Sequence, residues 1–221
     1  MNKKIAILKT SMLFSGLSDP QLEALARIAR VKSVARGETI FFEGEQANGF
    51  YMVARGKVKI FKMSLGGREQ ILHIFGVGEP FGEVPVFHGN PFPASASTLE
   101  ASEVLFFPRS EFVELVTTNT SLALSMLAML SMRLRRFATQ VENLTLKEVP
   151  GRLASYLLYL VEEQGREDQV ILDVPKGQLA NLLGSTPETL SRIFAKMKEE
   201  GLIQVQGKTI QLLDLEGLRH R

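Results

Sequence analysis

At 221 residues the chain suits one large domain or two small ones, and at 45% hydrophobic and 23% charged it can bury a globular core. It has no cysteine, which excludes disulfides, thiolate nucleophiles and cysteine-held zinc or iron–sulfur sites. The net charge of +2 names no partner, and from Leu146 to Arg221 ten Lys/Arg stand against eleven Asp/Glu, so a nucleic-acid surface here is a local patch, not a basic domain.

The start, "MNKKIAILKTSMLFSGLSD", is broken by Lys9, Thr10 and Ser11 and no small-residue cleavage site follows, so it reads as a folded cytoplasmic N-terminus. The chain has no apolar run of roughly 18 residues, so no membrane span is expected. "SDPQLEALARIAR" reads as a short helix capped by Ser18 or Asp19, with Pro20 near its first turn. From about Ser33 to Phe107 the chain reads as short strands: "ETIFFEGE", "GFYMVARGKVKIFK", "EQILHIF" and "SEVLFFPR" are rich in β-branched and aromatic residues. Gly37, Gly44, Gly56, Gly66-Gly67, Gly78 and Gly82 punctuate them, as in an antiparallel roll or barrel.

A long helix is expected from about Ser121 to Leu146. In it Leu127, Leu130, Leu134, Phe137, Val141 and Leu144 recur at alternating steps of three and four, a heptad seam. A second stripe, Leu122, Met126 and Met129, points elsewhere and would pack on the roll. Two stripes need two partners, and the simplest second partner is the same helix of another copy, in a two-fold dimer. Arg133, Arg135 and Arg136 read as solvated or paired surface groups. Pro150-Gly151 marks a break and a natural hinge.

The strongest signal is "KGQLANLLGSTPETLSRIFAKMKEEGLI". Leu179, Leu182 and Leu183 give a first helix its apolar face, and a turn begins at Gly184. Thr186 caps a second helix with Pro187 at its favoured first position. Leu190, Ile193, Phe194 and Met197 fall at i, i+3, i+4 and i+7, leaving Glu188, Ser191 and Arg192 on the opposite face near the helix start. That is the layout of a helix-turn-helix whose second helix reads the major groove. Arg192 can donate to guanine O6 and N7, Glu188 can accept from cytosine N4, and Ser191 suits several partners. Thr186, Lys176, Lys196, Lys198 and Lys208 are candidates for phosphate contacts. "LIQVQGKTIQLLD" adds two strands around Gly207-Lys208, a wing. The plain alternative for Glu188 and Arg192 is an i,i+4 surface ion pair.

This order of parts resembles the CRP/FNR family of bacterial transcription regulators, across essentially the whole chain. "RGETIFFEGE", "ARGKVKIF", "GEPFGE", "VPGRLASYLL" and "TPETLSRIFAKM" carry the resemblance together. It implies an α+β fold: an antiparallel β-roll of the cyclic-nucleotide-binding type with an N-terminal helix (1–120), a dimerisation helix and hinge (121–149), and a winged helix-turn-helix (150–221). It implies a cytoplasmic homodimer that binds double-stranded DNA, and RNA polymerase if it is an activator. The FNR side of the family carries Glu-x-x-Ser-Arg on its recognition helix, which maps onto Glu188, Ser191 and Arg192 and implies a palindrome with a TTGA-like half-site.

In the family's cyclic-AMP-binding members a Gly-Glu pair is followed by Arg-Ser or Arg-Thr: the Glu meets ribose, and the Arg and hydroxyl hold the phosphate. Gly82 and Glu83 match the first pair. Counted without gaps, Pro93 and Ala94 stand in place of the second, and no Arg or Lys lies between Glu83 and Ser97. A buried phosphate without a cation is costly, which argues against cyclic AMP. Ser95 or Ser97 can take the hydroxyl role in a shifted register, but neither is a cation. The dimer helix has "FATQV" where those members use a Thr-Ser pair against adenine. A family-type iron–sulfur cluster is excluded by the absence of cysteine. The effector is left open. The walls Val84, Val86, Phe87, Phe92 and Pro93 suit a hydrophobic ligand or a haem, with His73 or His88 as candidate axial ligands. Glu83 can instead be a structural acceptor for backbone N–H groups in a constitutive regulator. Catalysis is not expected: there is no HExxH spacing, no phosphate-binding GxxxxGK[ST] loop and no nucleophile–base pair.

Overall fold

The structure, a computed structural model, describes residues 2–14, 16–172 and 174–221, apart from the side chains of Asn2, Phe87 and His88. The chain divides into two compact units, Met1–Leu134 and Arg135–Arg221.

Among the described residues the first unit carries eight strands: β1 Arg30–Val34, β2 Thr39–Phe41, β3 Gly49–Arg55, β4 Val58–Met63, β5 Glu69–Phe75, β6 Pro80–Phe81, β7 Ser95–Thr98 and β8 Ser102–Pro108. They form two antiparallel sheets, ordered β1-β8-β3-β6 and β2-β7-β4-β5. β3 and β8 have nearly continuous apolar sequence because both of their faces are covered. Tyr51, Val53 and Val104 belong to a core with Phe41, Val58, Phe75, Phe81 and Phe92 of the roll interior. The alternate residues Phe50, Met52, Leu105 and Phe107 belong to a second core, shared with the helices.

Those helices are α1 Asn2–Lys9, α2 Asp19–Ile28, α3 Val84–His88, α4 Arg109–Thr117 and α5 Thr120–Leu146, with a tight turn at Met12–Phe14. At the start of α2 the Ser18 N–H donates to Gln21 Oε1 at 2.7 Å. The stripe Leu122, Met126 and Met129 of α5 is buried in the second core beside Leu25 and Phe112, so the packing expected of it is observed. Three of these helices were not expected from the sequence. α1 lies in the segment read only as a folded N-terminus, α4 follows the last strand directly, and α3 occupies the apolar run read as a pocket wall.

In the second unit follow α6 Val149–Gln164, β9 Gln169–Ile171, α7 Lys176–Leu182, α8 Pro187–Glu199, β10 Ile203–Gln206, β11 Thr209–Leu212 and α9 Leu215–Arg219. β9 joins the expected hairpin as a third strand, in the order β10-β11-β9. The helix break falls at Lys147–Glu148, and Pro150 and Gly151 lie inside the first turn of α6. Proline is tolerated there because a first-turn N–H has no helical partner to lose. Gly151 is buried, and a Cβ on it would crowd the Arg221 carbonyl oxygen at 2.5 Å. Among the described residues no single helix is long and apolar enough to cross a membrane.

Candidate DNA-reading and effector sites

The turn between α7 and α8 is built by Gly184, whose φ of +65° is the left-handed conformation that glycine adopts without strain. Its N–H donates to Asn181 O at 3.3 Å and the Ser185 N–H to Ala180 O at 2.9 Å, closing the end of α7. Thr186 then caps α8: its hydroxyl oxygen accepts from the Thr189 N–H at 3.2 Å. Leu190, Ile193, Phe194 and Met197 are buried, and Glu188, Ser191 and Arg192 are exposed together near the helix start. The Glu188 carboxyl is held below its ordinary pKa by its own backbone N–H, then by the Thr186 hydroxyl, then by the Arg192 charge, so it stands ready as an acceptor. These are the one carboxylate, one hydroxyl and one guanidinium that base edges can use.

The candidate phosphate contacts scatter more widely. Lys208, at the tip of the β10–β11 hairpin beside Gly207 (φ +62°), is exposed. Lys196 and Lys198 lie in the last turn of α8, at the end opposite the exposed triad. Lys176 is partly engaged, its ammonium 5.1 Å from the centre of the Phe194 ring. The six seam residues of α5 are exposed, from 36% for Leu144 to 71% for Leu134.

In the roll, Gly82 has φ +71°, and a Cβ there would meet both Phe41 and Phe92 at 3.2 Å. Those two rings stack with centroids 3.7 Å apart, and Phe41 stacks in turn against Tyr51 and Phe81. The loop carrying Phe92 is bonded to the segment after β2. Gly44 N–H donates to Phe92 O and Phe92 N–H to Glu45 O, each at 2.9 Å, and Gln46 Nε2 donates to Gly89 O at 2.9 Å. The Glu43 N–H donates to Ser95 Oγ at 3.0 Å, so that hydroxyl is engaged with backbone. Ala94 and Ser97 are buried.

Two wall assignments change. Val84 is 58% exposed and Pro93 is exposed, so neither lines the interior. The reason for Val84 is α3: wound as a short helix, "VPVFH" turns Val86 inward and Val84 outward. The assignments of Phe87 to the pocket and of His88 as a haem ligand lie outside the described side chains. His73 is half-buried on β5, with its ring 4.5 Å from the Phe75 ring, edge to face. The set does not fit a haem as arranged, because the Phe41 and Phe92 rings already stack in contact beside Gly82. Among the described residues no three His, Asp or Glu gather as a metal site.

Glu83 is 5% exposed and makes no cap to α3. Its carboxylate accepts from Arg133 of α5, whose other terminal nitrogen donates to the Pro80 carbonyl. The guanidinium sits 5.1 Å from the centre of the Phe75 ring. Arg133 is paired, as one of its two readings had it, but it is not a surface group: it is a part-buried cation held by Glu83 and the Pro80 carbonyl. The sequence has no cation between Glu83 and Ser97, whereas the fold supplies one from 50 residues away. The one signal for it in the sequence is its place four residues after Met129, on the stripe that faces the roll.

Residues 31–119 match the model of the cyclic nucleotide-binding domain, and residues 151–221 that of the Crp-like helix-turn-helix domain. The chain is 30% identical to a CRP-like cAMP-activated global transcriptional regulator of Mycobacterium tuberculosis, over 97% of this chain and 98% of that protein. It is 31% identical to the cyclic AMP receptor protein of Thermus thermophilus, over 93% of this chain and 94% of that one. The solved structure of FixK2 from Bradyrhizobium japonicum aligns with a TM-score of 0.77 at 25% identity, covering 87% of this chain and 96% of that one. With an antiparallel roll, a long helix and a helix-turn-helix in this order, the chain belongs to the CRP/FNR family of DNA-binding transcriptional regulators.

Proposed function

We propose that the chain acts as a homodimer, joined along the α5 seam from Leu127 to Leu144, that reads a palindrome with TTGA-like half-sites about one helical turn apart. Glu188, Ser191 and Arg192 carry base discrimination, with Thr186, Lys176, Lys196 and Lys208 against the backbone. The observation that carries this reading is the capped start of α8, with three base-competent side chains exposed on one face and four apolar ones buried on the other. The test is selection from a random duplex pool by the purified chain, followed by binding at physiological salt. A TTGA-like palindrome enriched over random duplex is expected; equal binding to all duplexes overturns the reading.

The regulator answers to something other than cyclic AMP. Its relatives in Mycobacterium tuberculosis and Thermus thermophilus carry that nucleotide in their names. Here Pro93 is exposed, Ala94 offers no hydroxyl, and the Arg133 guanidinium is already committed to Glu83. An effector would act by binding one orientation of the winged helices better than another, with the break at Lys147–Glu148 as pivot. The Arg133–Glu83 pair and the Phe41–Phe92 stack favour a second reading, in which the chain's own side chains take the effector's place and DNA binding needs no small molecule. Binding to the selected duplex without additives, and unchanged by cyclic AMP or haem, supports this second reading. Dependence on cyclic AMP overturns both readings, and dependence on another additive overturns the second.

A further inference from the structure

We infer that Arg152 positions the recognition helix by tying the break between α5 and α6 to the turn between α7 and α8. The inference rests on the reading of α8 as the DNA-contacting helix. A helix end leaves its last carbonyls without helical partners, and each must be satisfied from elsewhere. At the end of α7 the Gly184 and Ser185 amides satisfy Asn181 and Ala180. Two carbonyls beyond Asn181, that of Leu183 accepts from Arg152 Nη1 at 2.7 Å. Arg152 Nε donates at 3.0 Å to the carbonyl of Lys147, the residue just past α5. The Lys147 ammonium donates back to Ser155 Oγ on α6 at 2.7 Å, so the break is held from both sides.

One planar guanidinium thus closes two backbone ends that are far apart in sequence, and its donors are fixed relative to each other. Leu183 stands three residues before the cap Thr186 and five before Glu188. A shift of the Leu183 carbonyl is therefore carried into the cap and into the first residues that face the bases. Arg152 touches neither base nor phosphate in this scheme; it acts through the turn. It also gives a path by which a change at the break reaches α8, since losing the Lys147 bond frees the side chain that steadies Leu183.

The test compares R152M and R152K with the parent chain, full length, on the duplex selected by the parent and on a scrambled duplex, by fluorescence anisotropy. Amide hydrogen exchange of Ser185 and Thr189 is followed without DNA. R152M is expected to lose roughly tenfold in affinity for the selected duplex, the scale of a lost charge-assisted hydrogen bond, with binding to the scrambled duplex unchanged. Both amides should exchange faster, and R152K should fall between. An equal loss on both duplexes identifies a phosphate contact and overturns the positioning role. An unchanged affinity ratio with unchanged exchange overturns it as well. If the parent prefers no duplex, the reading of α8 falls, while the exchange rates still decide whether Arg152 holds the turn. If R152M does not fold, R152K carries the same comparison.

Discussion

Removing the cation from the roll is the sharpest test of the pocket. Met at position 133 keeps the unbranched apolar stem over Phe75 but leaves the Glu83 carboxylate without its partner. The two side chains are 20% and 6% exposed, so the carboxylate is the more deeply buried member. Breaking a buried pair from one side costs about 3–5 kcal/mol, because the remaining charge is stranded. Water reaches part of Arg133, which places R133M at the low end, at about 3 kcal/mol. For a chain of this size that is a fall in Tm of roughly 6–12 °C. E83Q should cost less, since the Gln carbonyl still accepts from Arg133 and the stranded guanidinium is the more exposed group. The double variant E83Q/R133M strands no charge and should be more stable than R133M alone, giving a coupling of roughly 1.5 kcal/mol or more. Calorimetry with chemical denaturation reads all three, and the shift should be confined to the transition of the first unit. If R133M shifts Tm by less than about 2 °C, or if the two single effects simply add, the pair is a surface contact and the argument fails.

The remaining expectations concern DNA, assembly and packing. Arg192→Ala should relax discrimination by about 1–3 kcal/mol at a single position of each half-site, read by competition among point-substituted duplexes; uniform weakening would remove Arg192 from the base-reading set. Lys208→Ala should do the reverse, weakening all sequences alike and lowering the salt slope by about one; a change confined to one base pair contradicts its phosphate role. Leu134→Asp places a charge at the most exposed seam position and should shift the monomer–dimer equilibrium by more than about tenfold in sedimentation, while unchanged dimerisation would place the interface elsewhere. Gly49→Ala should destabilise the roll by about 1–3 kcal/mol in denaturant, because the new methyl meets the Phe106 ring at 2.7 Å and crowds the Phe107 carbonyl; a neutral result would mean that β8 yields freely.

Features with a short period were legible in the residues. The i, i+3, i+4, i+7 spacing of Leu190, Ile193, Phe194 and Met197, with Thr186 and Pro187 before it, is enough to place α8 and to say which face stays exposed. The same holds for the two stripes of α5, and β5 runs over the whole of "EQILHIF". Val84 was misplaced because a short run such as "VPVFH" can wind into one helical turn as readily as it extends. Only the sheet and α4 around it choose; Arg109 at the start of α4 donates to the Val86 carbonyl. Pro150 marks the start of a helix as readily as a hinge, since both tolerate a missing N–H.

The sequence by itself determined most of the strands, the long helix α5 and the exposed face of α8, because helix and strand periodicity and capping act over three or four neighbours. Tertiary structure alone decided which distant groups meet: Arg133 with Glu83 across 50 residues, and Arg152 with Leu183 across 31. A guanidinium on a helix looks the same in sequence whether it faces water or an orphaned carbonyl. Folding sets the difference by bringing a buried acceptor within reach, where leaving it unpaired costs more than ordering the side chain.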